Sequence, residues 1–163
     1  MSDARRFDAR ELFAALARHE VGYLTIGGIA VQAHGGQRLT QDLDIAILPA
    51  RDNLERLAAA LAEVDARILG PGGERSSSPP SAALLASSDQ WHLITDHGPL
   101  DVIVSPAHLG PFAEMLARAH RTPLGDLTVP IAHRDDLIRM KRASDRPQDR
   151  ADVELLEALD EER

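Results

Sequence analysis

The chain has 163 residues, 44% of them hydrophobic and 27% charged, with a net charge of −8 and no cysteine. This length favours a single domain over residues 1–163, and the lack of cysteine excludes disulfides and thiolate metal sites. The negative charge disfavours non-specific nucleic-acid binding, which needs lysine and arginine to neutralise phosphates. The first residues lack a signal-like apolar stretch and no run approaches the ~18 apolar residues of a membrane span, so we expect a cytoplasmic protein without membrane association.

The hydrophobic pattern predicts helices and strands that alternate along the chain. Apolar stripes and start signals, such as Asp8 with Glu11 and Asp52 with Glu55, predict helices at residues 8–19, 29–33, 52–65, 111–120, 134–143 and 147–160. Apolar runs predict strands at residues 21–26 and 43–48, a hairpin over 90–105 turning at 96–99, and a second hairpin over 122–130 turning at 125–126. This order indicates an α/β or α+β sheet with helices packed on it.

Residues 70–89, GPGGERSSSPPSAALLASSD, form the one long stretch rich in glycine, serine and proline. A loop of ~20 residues inside a compact domain is usually functional or disordered, so we expect a flexible loop here. Its serine run at 76–78 lacks the strand–elbow–helix setting of a serine nucleophile and is interpreted as part of a flexible lid.

Asp42 and Asp44 are the first candidates for catalytic chemistry. Strand alternation places both on one face, roughly 6.5–7 Å apart along the strand. Like charges 4 Å apart at an effective dielectric of ~20 repel by about 4 kcal/mol, and a divalent cation removes this penalty. Oxygen ligands without cysteine or paired histidine indicate Mg²⁺ or Mn²⁺. An Asp-x-Asp pair also occurs by chance in a chain this rich in aspartate, so the pair by itself means little.

Gly27 and Gly28 supply a complementary feature between the first strand and the helix that follows it. Glycine allows the backbone to approach a phosphate closely, and a helix N-terminus offers free N–H groups. A triphosphate would then be held between these groups and metals on the two aspartates. A glycine pair by itself is equally often a plain turn. We expect Arg38 and Thr40 to order the turn before Asp42, with Arg38 also a candidate phosphate contact.

The ordered combination in residues 24–48, LTIGGIAVQAHGGQRLTQDLDIAIL, is much rarer than its parts. It resembles the signature of the DNA polymerase β-like nucleotidyltransferase superfamily: a hydrophobic residue, glycine, then glycine or serine, a short helix, and Asp-hydrophobic-Asp. It is similar in particular to the small bacterial branch that includes toxin–antitoxin nucleotidyltransferases of the abortive-infection type. Many relatives carry serine at the position of Gly28, so this chain lacks a hydroxyl that would touch phosphate.

The resemblance implies a minimal nucleotidyltransferase fold, with a small mixed β-sheet and helices packed mainly on one side. It also implies a third carboxylate on a later strand, and Asp101 in the run GPLDVIV is similar to that position. A charge in an otherwise apolar strand is costly when buried unpaired, which independently favours a metal role. The alternative is an edge-strand aspartate that faces water.

Lys141, the only lysine in the chain, precedes the pattern Arg-Pro-x-Asp-x-x-Asp at residues 146–152. This arrangement also resembles the family, in which such a lysine is thought to reach the triphosphate. A lysine on a solvated helix face is the alternative. Asp149 is interpreted as structural, and the role of Asp152 stays open.

The activity implied by the resemblance is two-metal transfer of a nucleotidyl group from an NTP to an acceptor hydroxyl, with release of pyrophosphate. Asp42 and Asp44 would bind both metals, and Asp101 would bind the acceptor-side metal and help to deprotonate the hydroxyl. Gly27, Gly28 and Lys141 would hold the triphosphate.

The acceptor is left open among a tRNA end, a protein hydroxyl and a small molecule. The alternative function is a weakly active or inactive interaction module, such as one half of a toxin–antitoxin pair that binds a cognate toxin or antitoxin. A zinc site is not expected, because no His-x-His or His-Glu-x-x-His pattern occurs. Trp91 and His92 are interpreted as core and rim residues rather than catalytic ones. A dinucleotide-binding oxidoreductase is excluded by the lack of Gly-x-Gly-x-x-Gly at a helix start.

Overall fold

The computed structural model of the chain describes residues 6–104 and 110–161, in which seven strands form one sheet. The strands are β1 (Tyr23–Ile26), β2 (Leu43–Ile47), β3 (Arg67–Ile68), β4 (Gln90–Thr95), β5 (Gly98–Ile103), β6 (His120–Leu124) and β7 (Leu127–Ile131). The helices are α1 (Ala9–Arg18), α2 (Gly27–Ala33), α3 (Arg51–Glu63), α4 (Ala82–Leu85), α5 (Phe112–Ala117), α6 (Arg134–Ser144) and α7 (Pro147–Glu161). Residue 105, the last residue of the first predicted hairpin, lies outside the described residues.

The sheet is mixed, with the strand order β3-β4-β5-β2-β1-β7-β6. Strands β2 and β5 run parallel, as do β1 and β7, and the remaining neighbours are antiparallel. The predicted α/β architecture with a mixed sheet is therefore confirmed. Among the described residues, no helix is both long enough and apolar enough to span a membrane.

The two faces of the central strands β2 and β5 differ in burial. Leu43, Ile45 and Val102 are completely shielded from solvent and belong to the hydrophobic core. Asp44 and Asp101 alternate with them and are only half-buried. Because side chains on a strand alternate between faces, the apolar residues anchor one face of the sheet while the carboxylates emerge on the other.

Helix α1 begins where the sequence predicts, because Asp8 caps it. The Asp8 carboxylate accepts a hydrogen bond from the Glu11 backbone N–H at 3.3 Å. Leu12, Phe13 and Leu16 then form a buried stripe toward the sheet. A satisfied cap and an apolar stripe specify this helix from local information.

Helix α3 begins one residue before its predicted start. Its N-cap is Ala50, which makes no side-chain capping bond, so Asp52 contributes to the start of the helix from the first turn and not as its cap. Asp52 lies in the first turn and its carboxylate is 3.4 Å from Arg56 Nη1. A negative charge there still interacts favourably with the positive end of the helix dipole.

The segment 70–89 contains structure that the pattern does not predict. Helix α4 is capped by Ser81, whose Oγ accepts from the Leu84 N–H at 3.1 Å. Leu85 is completely buried, and its carbonyl accepts a hydrogen bond from Trp91 Nε1 at 3.0 Å. A single helical turn is too short to show periodicity, which explains why the helix is missed. The flexibility of the loop stays a prediction.

The turn between α6 and α7 brings these two helices side by side. Asp145 ends α6 with a left-handed backbone, φ 50°. Pro147 starts α7, and the Asp149 carboxylate accepts from the Arg146 backbone N–H at 3.1 Å. Proline at the first helical position and a carboxylate accepting an early N–H both favour a helix start. The turn places Lys141 of α6 against Asp152 of α7.

Candidate active site

A cavity of about 600 Å³ lies between the carboxylate-bearing ends of β2 and β5 and the helices α6 and α7. It brings together residues that are far apart in the sequence. All but one of the predicted site residues line it: Gly27, Gly28, Arg38, Asp42, Asp44, Asp101 and Lys141. The remaining one, Thr40, lies directly behind Asp42.

The three predicted aspartates form one cluster. Asp44 and Asp101 are register partners on the parallel strands β2 and β5, so their side chains leave the sheet side by side. Asp42 immediately precedes β2 on the same face. One carboxylate oxygen from each residue lies within 4.8 Å of the others. Strand β5 lies between β4 and β2, so the alternative of an edge-strand Asp101 is wrong.

The cluster is electrostatically strained. Burial and the neighbouring Asp42 and Asp101 carboxylates raise the pKa of Asp44 to about 7, although the nearby Lys141 ammonium opposes the rise. Three half-buried carboxylates that supply only oxygen ligands fit a hard divalent cation such as Mg²⁺ or Mn²⁺. A cation bound by Asp42, Asp44 and Asp101 would remove the repulsion that adds to the effect of burial on this pKa.

Thr40 orients the first aspartate. Its hydroxyl donates to Asp42 Oδ1 at 2.8 Å and lies 3.3 Å from the Asp42 carbonyl oxygen. A hydroxyl that bonds to a carboxylate two residues later fixes the turn and the rotamer together. Thr40 therefore orders the turn, as its position in the sequence suggests.

The glycine pair is required by what surrounds it. Gly27 has φ 70°, and a Cβ at this position would lie 2.6 Å from Asp44 Cγ. A Cβ on Gly28 would overlap the Arg38 guanidinium and lie 2.8 Å from Thr40 Oγ1. A serine side chain at position 28, which the resemblance would allow, therefore has no room while the Arg38 guanidinium stays where it is. Helix α2 also begins at Gly27, two residues earlier than predicted.

Lys141 is buried in an ion-pair network rather than exposed on a solvated helix face. Its Nζ donates to Asp152 Oδ2 at 2.8 Å, and only 8% of the residue is exposed. Arg38 Nε lies 3.1 Å from the other Asp152 oxygen. Asp152, whose role the sequence leaves open, thus joins the two cations. The Lys141 ammonium also faces the acidic cluster closely enough to oppose the rise in the Asp44 pKa.

Asp149 has the structural role expected for it. Burial by itself would raise its pKa, but hydrogen bonds from Arg146 and Ser144 hold the pKa below its ordinary value. Arg146 Nε donates to Asp149 Oδ2 at 2.9 Å. The guanidinium also lines the cavity, and the Asp44 and Asp101 charges contribute to raising its pKa, after the larger effect of Asp149. The sequence did not single out Arg146 as a site residue.

His92, interpreted from the sequence as a rim residue on a strand, lies beside the acidic cluster with a 59% exposed side chain. It is the register partner of Asp101 on β4, and its Nδ1 lies 2.8 Å from Asp101 Oδ1. It also lines the cavity. The predicted four-residue turn at 96–99 would pair His92 with residue 103, whereas the actual two-residue turn pairs Thr95 with Gly98 and therefore His92 with Asp101. The sequence Asp96-His97-Gly98 carries the signal for this register, because a glycine after two turn residues is typical of a type I turn with a bulge, and Gly98 has φ 104°.

Comparison with known proteins finds similarity in structure but not in sequence. No protein-family model matches the chain, and a sequence search of curated proteins finds no match. The lincosamide antibiotic adenylyltransferase LnuA, solved with lincomycin bound, superposes with a TM-score of 0.62 at 16% identity, covering 94% of this chain and 99% of LnuA.

Two further solved structures are similar. ANT(2'')-Ia, in complex with adenylyl-2''-tobramycin, gives a TM-score of 0.58 at 14% identity, covering 91% of this chain and 84% of its own. An antigenic nucleotidyltransferase-like protein from Paracoccidioides brasiliensis gives 0.55 at 18% identity, covering 94% and 77%. At these identities the likeness establishes the fold, which is that of the nucleotidyltransferases.

Proposed function

We propose that this chain is a nucleotidyltransferase that uses Mg²⁺ or Mn²⁺ to transfer a nucleotidyl group from an NTP to an acceptor hydroxyl. The observation that carries the proposal is the convergence of Asp42, Asp44 and Asp101, from two neighbouring strands, on a cavity bordered by Gly27 and Gly28. The nucleotidyltransferase fold of three solved structures supports it.

The three aspartates would have different roles because they occupy different positions in the site. Bound divalent cations would neutralise triphosphate charge and lower the pKa of the attacking hydroxyl. Asp42, held by Thr40, and Asp44, buried between its two acidic neighbours, would bind them. Asp101, whose side chain is 27% exposed, would complete the site on the acceptor side and accept the proton of the hydroxyl.

Three cationic side chains would bind the triphosphate. Lys141, Arg38 and Arg146 all line the same cavity as the carboxylates. Asp152 holds Lys141 and Arg38 in fixed positions, and Asp149 holds Arg146. Cations positioned before the substrate arrives stabilise a transferring phosphoryl group without reorganisation during the reaction.

A small molecule is the acceptor that we favour. LnuA is described as a lincosamide adenylyltransferase and ANT(2'')-Ia was solved with an adenylylated tobramycin, so two of the similar structures involve small antibiotics. The cavity volume of about 600 Å³ lies within the range of small-molecule sites. The net charge of −8 also counts against a long RNA surface. The toxin–antitoxin role, with its protein partner, stays a prediction from the sequence.

Nucleotide binding with and without metal tests the proposal. ATP, GTP, CTP and UTP are titrated calorimetrically, with Mg²⁺, into the wild type and into the double variant Asp42→Asn/Asp44→Asn. We expect at least one nucleotide to bind the wild type only when Mg²⁺ is present, and the double variant to lose this binding. A nucleotide that binds would then be used to screen hydroxyl-bearing acceptors, beginning with small molecules.

The matched control is Asp52→Asn/Asp126→Asn, which removes the same two charges from exposed positions outside the cavity. We expect it to bind nucleotide as the wild type does. A folded wild type that binds none of the four nucleotides would contradict the enzyme proposal. The fold would then serve as an interaction scaffold, and co-purification with a protein partner would become the relevant experiment.

A further inference from the structure

We infer that His92 is a positioning residue for Asp101, the carboxylate that completes the proposed metal site; the inference rests on the proposed function. His92 Nδ1 lies 2.8 Å from Asp101 Oδ1, and both residues line the same cavity. Nothing in the sequence pattern marks His92, which becomes visible only through the β4–β5 register.

The chemistry of the two side chains determines which of them donates the hydrogen bond. An ionised carboxylate can only accept hydrogen bonds, so His92 Nδ1 carries the hydrogen and donates it to Asp101 Oδ1. Neutral His92 is therefore held as the Nδ1–H tautomer. The other ring nitrogen, Nε2, is then the one with a lone pair.

Asp101 needs such a restraint because of its neighbours. Its carboxylate lies beside those of Asp44 and Asp42, and like charges at this separation repel when the carboxylates are ionised. Asp101 has no lysine or arginine ion pair among the described residues, and His92 is the ring that contacts it. The hydrogen bond engages one oxygen and fixes the plane of the carboxylate, which is the way outer hydrogen bonds orient the ligands of metal sites.

The hydrogen bond between His92 and Asp101 contributes little to the stability of the fold. The His92 side chain is 59% exposed, and exposed pairs contribute little to folding. The hairpin register already places the two residues opposite each other, so the bond requires little extra ordering. A positioning role thus predicts a loss of metal affinity without a loss of stability, whereas a structural role predicts the reverse.

Mn²⁺ binding to the nucleotide-free protein tests this inference. Calorimetric titrations compare the wild type with His92→Phe, which keeps a planar ring but removes the donor, and His92→Asn, which places an amide N–H near the position of Nδ1. We expect His92→Phe to bind Mn²⁺ about 10-fold more weakly and His92→Asn to recover affinity to within about 3-fold of the wild type. The urea midpoints of all three should agree. His97→Phe, the same substitution at the turn end of this hairpin, should leave Mn²⁺ affinity unchanged.

A second readout needs no variant. Nitrogen-15 NMR of the imidazoles should show His92 of the wild type as the Nδ1–H tautomer. The Nε2–H tautomer would overturn the inference, as would equal Mn²⁺ affinity in the wild type and His92→Phe, or equal weakening by both substitutions. In those cases the proposed function stands as long as the wild type binds a nucleotide with Mg²⁺. A wild type that binds no Mn²⁺ without nucleotide would overturn the inference, while the proposed function is decided by the nucleotide titrations.

Discussion

The two walls of the cavity use the same residue type in opposite ways. On the sheet, Asp42 and Asp44 form no ion pair with lysine or arginine within the described ranges, and burial together with the neighbouring carboxylates raises the pKa of Asp44 to about 7. On α6 and α7, Asp149 is hydrogen-bonded by Arg146 and its pKa is held below the ordinary value. Asp152 likewise contacts two cations. The helical wall is internally compensated, while the sheet wall is short of positive charge.

This difference separates structural from functional carboxylates. A buried charge that has its partner needs no ligand, so the helical wall keeps its cations in place, and the fold is destabilised when one partner is removed. Buried charges without partners destabilise the fold unless a ligand compensates them, and such groups are typical of binding sites. The contrast predicts that neutralising Asp152 on the helical wall lowers the stability of the fold. Neutralising Asp44 on the sheet wall should raise the stability of the metal-free protein.

The largest effect is expected for Asp152→Ala. Removing this carboxylate leaves Lys141, only 8% exposed, without its closest partner and also frees Arg38. Breaking a buried pair by removing one member costs about 3–5 kcal/mol, which urea unfolding would measure as a lower midpoint. Asp160→Ala is the control, because Asp160 lies on the same helix but has a 66% exposed side chain. Equal midpoints for the two variants would show that the helical wall does not hold the fold together.

The second prediction concerns Asp44→Asn in the metal-free protein. The pKa of Asp44 is raised from 3.8 to about 7, so between these values the folded chain holds a proton that the unfolded chain has released. The stability of the wild type therefore falls, relative to the variant, as pH rises through this window. We expect Asn to stabilise the metal-free protein by roughly 2–4 kcal/mol at pH 8 and by little at pH 4.

Urea unfolding of both proteins across this pH range, in the presence of a chelator, measures the difference. Saturating Mg²⁺ should then reduce the difference in unfolding free energy between the two proteins, because it stabilises only the wild type. A stability difference that does not change with pH would mean that Asp44 does not titrate in the strained cluster.

A smaller effect is expected where the backbone supports the acidic wall. Gly27→Ala places a Cβ against the Asp44 carboxylate, whereas Gly35→Ala shares the positive φ but meets only Leu159, at 3.8 Å. Both substitutions should cost about 1–2 kcal/mol for the left-handed backbone. Only Gly27→Ala should also weaken Mn²⁺ binding, because Asp44 must move. Similar Mn²⁺ affinities for the two variants would show that the close approach of Gly27 does not position the carboxylate.

Local patterns predict much of the fold. Helix α1, strands β1 and β2, both hairpins and the two closing helices follow from periodicity and turn residues, since these signals act over a few neighbouring residues. The two-residue strand β3 and the four-residue helix α4 are missed because neither is long enough to show a period. The predicted start of α2 is late because a glycine pair that lies within the first helical turn looks like a break.

The candidate site divides in the same way. Asp42 and Asp44 are adjacent because a strand alternates every two residues, so the sequence by itself determines that both lie on one face. Asp101 joins them because β2 pairs in parallel with β5. His92 joins them because of the β4–β5 hairpin register, which changes if the turn length is misjudged by two residues. The burial of Lys141 depends on how α7 packs against α6. These placements arise from contacts between distant segments, whose geometry is set by packing and strand order rather than by any local pattern, and only the tertiary structure decided them.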